Sequence, residues 1–524
     1  MTPDAGANPA VSPRPHPAAT VEEARGKGAG APAITTHPYL GILGVFLGTM
    51  TASLNGRLLS VGLADLRGAL HLGFDEAAWI PTAFNAGTIF LGVFSVFLGA
   101  HYGVRRVLLV SAALYTLASL LVPLAGSDLS LMLLVTLTGL ASGSFYSLTL
   151  TFVARNLPPK LLIFGIAAYA LDVVVTSNIA TLVQGLLAEH HSWRWIFWTP
   201  AVLSPLVFVC LYFGVPPVTA AARAAMPGPN WRGFFYMSLG LALIYATLDQ
   251  GERLDWFASG TIAGLAAAGA FLVAVTLIRR MRQPNPLVNL PFLNARNIVI
   301  LALGVFCVRF ALLAPLVAIP GFLGNIRQYR AIQTGEALAW VAAPQFILVW
   351  LAAIAMVFIQ PRIVMAAGFA TIAFACALAA RVDAGWAGSS FLLPELLLSV
   401  GIAAAFIGLV VSLLLLAMEM GAVTNVANLT TFAGCLHTMR LLGGEVDPCS
   451  WSATSPHANS SIPTCWAGMW MPATGSPPSA WRDSRRRSRP SLPEWRRHRP
   501  GRSSCLADRS GLKPIPSPSP TRST

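Results

Sequence analysis

The residues best placed to do chemistry are the few ionisable ones set in long apolar stretches: Arg57, Asp172, Arg309 and Glu395. The amide of Asn55 stands two residues before Arg57. In a hydrocarbon setting each is costly unless paired, hydrogen-bonded or hydrated. Three roles fit them. Arg57 or Arg309 meets an anionic group on a ligand; Asp172, mid-stretch and one turn from Tyr169, accepts and releases a proton; or an Arg–carboxylate pair holds helices in register. The residue types alone leave all three open. Asn55 reads first as a helix–helix hydrogen bond and second as a ligand contact. Glu395 follows Pro394 at the edge of its stretch.

Other side chains are more ambiguous. Thr424, Asn428, Thr431, Cys435 and Thr438 recur at steps of 4, 3, 4 and 3, which is one helix face, with His437 just off it. That stripe either lines a wet cavity or packs on a neighbouring helix. Phe145, Tyr146, Trp340 and Trp350 either stack on a flat ligand or meet lipid and anchor the interface.

The elements that must carry these residues follow from composition. The chain has 524 residues, of which 55% are hydrophobic and 11% charged. Soluble domains carry about 25% charged residues, so there is too little solvated surface for a soluble protein of this size. From Tyr39 onward, apolar runs of about 20 residues follow one another, each long enough to cross a bilayer. They cover 39–63, 77–100, 107–126, 129–153, 161–187, 194–215, 233–249, 257–278, 298–321, 336–359, 362–380, 391–417 and 422–443. Lipid offers no partner to backbone N–H or C=O groups, so each run must be a helix; continuous rather than alternating hydrophobicity excludes a barrel. The expected fold is therefore an all-α polytopic membrane protein with about thirteen transmembrane helices.

Residues 1–37 are rich in Pro, Ala, Gly and Thr and lack the pattern of a cleaved signal peptide, and read as a disordered arm. With that arm in the cytoplasm, fourteen basic residues of the arm and loops fall on its side and six on the other. This bias predicts a cytoplasmic amino terminus. Spacing divides the chain further. Six spans occupy 38–215; residues 216–297 hold a polar linker, two inserted helices and a Pro-containing cytoplasmic loop; five spans occupy 298–446. A 6+2+6 plan with related halves fits, one span short.

No metal-ligand spacing, CxxC pair, HExxH, GxSxG or phosphate-binding loop occurs, so no enzyme, metal or cofactor is expected. Cys210, Cys307, Cys376 and Cys435 lie in apolar spans as small hydrophobes.

Four motifs carry a resemblance. They are Ser192-Trp193-Arg194-Trp195-Ile196-Phe197 with Pro200; Arg440-Leu441-Leu442-Gly443-Gly444; Trp79-Ile80-Pro81; and Leu98 to Arg106, which reads LGAHYGVRR and contains Gly103, Arg105 and Arg106. Together they resemble the fourteen-helix drug:proton antiporter branch of the major facilitator superfamily over about residues 38–446. Departures are specific. Ala100 and His101 replace an Asp and an Arg of the family loop, and Leu54-Asn55 replaces a Leu-Asp pair. Val135 stands at the fourth-span arginine, and Ala180 to Gly185 replaces Gly-Pro-x-x-Gly-Gly. They fall on positions tied to proton antiport in that branch.

The resemblance implies a major facilitator fold in the inner membrane, exporting amphipathic or aromatic small molecules by alternating access. Arg57, Arg309 and Asn55 would meet substrate, and Asp172 would carry the proton. Partners would be the substrate, the bilayer and a periplasmic adaptor of the membrane-fusion type. The absence of nucleotide-hydrolysis motifs leaves ion or substrate gradients as the energy source. Two alternatives stand beside export: a non-transporting truncated protein or sensor, and an organic-anion uptake carrier.

After Val446 the composition changes abruptly. Residues 447–524 hold 13 Pro, 16 Ser, five Trp, three Cys and 12 Lys+Arg, and supply +8 of the +14 net charge. One reading is a basic disordered region binding anionic lipid or nucleic acid. Trp and Cys at this density do not suit disorder. The preferred expectation is a shift of coding frame near Val446, so no nucleic-acid partner is expected. Translating the other two frames downstream is then expected to reveal an apolar fourteenth span, and its absence would refute the shift.

Overall fold

The structure, a computed structural model, describes residues 38–157, 159–216, 231–281, 296–383, 385–419 and Met439. Regular structure among them is helical throughout. The first half comprises α1 (Pro38–Val61), α2 (Leu63–Leu70), α3 (Phe74–Tyr102), α4 (Val104–Leu121), α5 (Asp128–Asn156), α6 (Pro159–His190) and α7 (Trp195–Gly214). Then come α8 (Trp231–Gly251) and α9 (Gly260–Met281), followed by α10 (Arg296–Asn325), α11 (Ala331–Phe358), α12 (Pro361–Ala379) and α13 (Leu392–Glu419).

Twelve long helices thus stand where the sequence predicts the first twelve spans; the thirteenth lies outside the described residues except for Met439. Eleven of them are long and apolar enough to cross a membrane. The exception is α8, whose apolar run is diluted by Ser238, Thr247, Asp249 and Gln250. The sequence counts it as a span, and the structure shows why its polar end persists. Thr82 of α3 donates to the Asp249 carboxylate, Gln250 Nε2 donates to the Ala78 carbonyl at 3.1 Å, and Arg253 pairs with Asp75. These bonds dock α8, and with it α9, on the first half.

Burial divides each helix without a polar outer face. On α11, Thr334, Gly335, Leu338, Val341, Ala342, Gln345 and Val349 turn inward. Phe346, Ile347, Trp350, Leu351, Ile354, Val357 and Phe358 face outward. Both faces are apolar because the outer one meets lipid rather than water. Local bonds satisfy most inward hydroxyls: Thr49, Thr88, Thr138 and Thr151 each donate to the carbonyl four residues back.

Lipid is as apolar as a leucine side chain, so helices gain little by hiding hydrophobic surface from it and must associate by close packing. Glycines provide the approach. A Cβ at Gly139 or Gly143 of α5 would collide with the Phe84 or Thr88 carbonyl of α3. The Thr88 and Ser142 hydroxyls then meet across this contact at 2.9 Å. On α13, a Cβ at Gly401 would lie 2.8 Å from the Ile372 nitrogen of α12.

Gly103 has a different duty. It joins α3 to α4 at φ 93° and ψ 137°, a conformation open to glycine and strained for other residues. The sharp joint brings Arg105 to the end of α7, where Nη2 donates to the Tyr212 carbonyl at 2.6 Å. The guanidinium lies 4.8 Å from the Tyr212 ring centroid. A cation thereby meets the negative end of the α7 dipole. Gly103→Ala is expected to cost about 1–3 kcal/mol, lowering the thermal unfolding midpoint in detergent. Gly264→Ala, in open space on α9, is expected to leave the midpoint unchanged or slightly raised.

Candidate functional site

The two halves meet chiefly where α6 packs on α11. Two glycines set that crossing. A Cβ at Gly185 would lie 2.6 Å from the Ile332 nitrogen, and one at Gly335 would run into the Leu182 backbone. The same end of the bundle carries α2, where Gln184 Nε2 donates to Asp65 at 3.1 Å. One apolar core extends along the seam, with Tyr169, Ala170, Val173 and Val174 from α6 and Val305, Val308, Leu312 and Leu313 from α10. Val341 and Val349 of α11 and Ile402 and Phe406 of α13 complete it.

Asp172 and Arg309 lie on two of the helices that build this core. Each is only 9% exposed; Asp172 is flanked on α6 by Val173, and Arg309 on α10 by Val308. A buried acid of the first half and a buried base of the second thus lie on helices that both contribute to this core. Arg57 is half-buried on α1. Asn55 goes elsewhere: it is fully buried and faces the Tyr115 phenol of α4, whose OH donates to the Thr51 carbonyl at 3.4 Å. Its amide thus points into the first half rather than toward the seam.

The aromatic candidates separate as well. Phe145 packs edge-on to Tyr115 with ring centroids 5.9 Å apart, whereas Trp340 and Trp350 face outward. Among the motif residues, Gly103 and Arg105 form the joint already described, and Arg106 is exposed. Trp193 is half-buried, edge-on to Phe197 at 6.4 Å, with the Arg194 guanidinium 5.8 Å from its ring. Arg440, Gly443, Gly444 and the Thr424–Thr438 stripe lie outside the described residues.

Sequence reasoning passed over several buried polar groups. Gln345 and Ser399 are wholly buried and bonded to each other between α11 and α13, and Gln184 ties α6 to α2. The criterion that finds Asp172, a polar residue within an apolar run, finds Gln345 and Gln184 as well once amides are weighed alongside charges. Among the described residues no group of three or more His, Cys, Asp or Glu could hold a metal ion.

The family model of the Major Facilitator Superfamily matches residues 45–437. This chain belongs to that superfamily. It is 26% identical over 294 residues to the probable multidrug resistance protein EmrY of Escherichia coli, covering 56% of this chain and 57% of that protein. It is 24% identical over 398 residues to the fatty acid resistance protein FarB of Neisseria gonorrhoeae, covering 75% of this chain and 76% of that one. The chain spans just over half the length of several curated relatives it matches, EmrY and the EmrB export proteins of Haemophilus influenzae and E. coli among them.

Solved structures agree in fold. The human organic anion transporter MFSD10 superposes with a TM-score of 0.53 at 16% identity, covering 82% of this chain and 97% of that one. The proton:xylose symporter XylE gives 0.51 at 12% identity, covering 82% and 90%. This is a multi-pass membrane protein with the major facilitator fold.

The glycine crossing supplies a test of the seam. Gly335→Leu is expected to force α6 from α11, lowering the thermal midpoint and exposing a cysteine placed at Leu182 to maleimide. Gly321→Leu, with nothing near its Cβ position, is the control expected to change neither. Equal labelling in the two variants would show that the crossing does not hold the halves together.

Proposed function

We propose that this chain is a secondary transporter that exports amphipathic or aromatic small molecules by alternating access, its two halves rocking about the α6–α11 seam. The observation carrying this is the burial of Asp172 and Arg309, an acid and a base from opposite halves, on helices that share one core. Rocking would change what each of them faces, and a buried charge whose surroundings alternate is a means of coupling an ion to a motion. Asp172 is the proposed proton carrier. Arg309 is the proposed contact for a polar substrate group, with Arg57 on α1 as a second one, and Asn55 acts through the neighbouring Tyr115 of α4.

The resistance proteins among its relatives support export. Placement in the inner membrane and a membrane-fusion adaptor as partner belong to the same reading, and rest on the family resemblance of the motifs. The basic-residue bias supports a cytoplasmic amino terminus. Transport in such a scaffold needs no enzyme chemistry or cofactor. The buried guanidinium of Arg309 favours one second reading, a carrier for organic anions.

Inverted vesicles separate these readings. A lipophilic cationic dye is expected to accumulate when an inside-acid pH gradient is imposed and to stop when it is collapsed. Asp172→Asn is expected to abolish gradient-driven accumulation while leaving downhill exchange intact. Unchanged coupling in that variant would remove Asp172 as the proton site. Accumulation of an organic anion lost on Arg309→Met, with no movement of cations, would favour the second reading.

A further inference from the structure

Glu395 stands in the first turns of α13, where its side chain is 2% exposed. Neither carboxyl oxygen has a hydrogen-bond partner among the described residues. One turn further along α13 is Ser399, whose hydroxyl donates to the Val341 carbonyl of α11 at 2.9 Å. Gln345, one turn beyond Val341, donates through Nε2 to the Ser399 carbonyl at 2.7 Å and to its hydroxyl at 2.9 Å. Gln345 Oε1 is itself buried without a partner among the described residues. The apolar cluster of Phe322, Leu323, Leu338 and Phe391 begins one turn before Glu395.

The donors and acceptors on this seam do not balance. Both hydrogens of the Gln345 amide and the hydrogen of the Ser399 hydroxyl are committed. Three acceptor oxygens remain, two on Glu395 and one on Gln345, and the described residues leave no hydrogen for them. Charged and titratable groups on the elements packed against α13 do not supply one. Asp172 on α6, Arg309 on α10, Glu336 on α11 and Arg362 and Cys376 on α12 make no bond to either oxygen. A buried seam with surplus acceptors and no surplus donor is short of a proton.

We propose that Glu395, with Gln345 and Ser399, is a proton-binding site in the second half, separate from Asp172. Its carboxylate takes a proton from a hydronium ion, leaving water, when the α11–α13 seam is reached by solvent. The resulting O–H is held inside as a neutral donor and released when the seam opens again; nothing else is consumed. This deepens the transport reading by giving each half its own carboxyl. Its test does not depend on transport.

The test is infrared difference spectroscopy of the purified full-length protein in lipid, titrated between acid and alkaline buffer. A protonated-carboxyl C=O band is expected that disappears in Glu395→Gln and persists in Asp172→Asn. Glu395→Asp keeps a carboxyl and is expected to shift the band rather than remove it, which serves if the Gln variant does not fold. Identical difference spectra for the wild type and Glu395→Gln would overturn the proposal. So would loss of the band on adding sodium chloride but not choline chloride at fixed pH, which would make this a sodium site. If the band behaves as expected while vesicles move no substrate, the proton site stands and the transport reading fails.

Discussion

Much of this structure depends on the absence of two side chains. Gly185 and Gly335 let the α6 and α11 backbones touch, and no larger residue could stand at either position without parting the halves. In lipid this matters more than in water, because close packing has to do what hydrophobic burial does elsewhere. The contact lies at one end of both helices. Asp172 is 13 residues along α6 from Gly185, about 20 Å at the helical rise. The buried charge thus lies well along the same helix from the glycines that let the halves touch.

The same scarcity of partners governs the polar side chains. Short hydroxyls fold back on their own helix and stay inside at little cost, as Thr49, Thr88 and Thr151 do. Longer groups must reach a neighbouring helix. Gln345 reaches Ser399, Gln184 reaches Asp65, and Arg253 reaches Asp75, and each bond ties two elements together. Polar groups in this bundle therefore mark joints. The α8–α9 pair shows it most clearly: a helix too polar to satisfy the criteria of a span is held on α3 by Thr82, Asp75 and Ala78.

The sequence made the bundle legible because the bilayer sets helix length, and helix length sets the runs. Boundaries shift where caps act: α5 begins at Asp128 because Ser127 caps it, accepting from the Ser130 nitrogen at 3.3 Å. Which helices touch was not legible, since the glycines that decide it look alike in sequence. Gly185 closes the seam, whereas Gly264 and Gly321 face open space. The candidate site was legible in part. Asp172 and Arg309 stand out as charges in apolar runs, and Asn55 reads first as a helix–helix contact, but only the fold shows that it faces Tyr115. Glu395 was visible; its bond-donor deficit appears only once Ser399 and Gln345 are seen to spend their hydrogens on each other.

The central claim, that the halves rock about the α6–α11 seam, is tested most directly by two distances measured in one protein. Spin labels at Glu189 and Glu336 report the end with the glycine crossing, and labels at Leu161 and Phe358 report the other; all four positions are exposed. Pulsed electron resonance in lipid, with pH and substrate varied, is expected to show the two distances changing in opposite senses, one end opening as the other closes. Two distances that stay fixed, or that rise and fall together, would contradict the account.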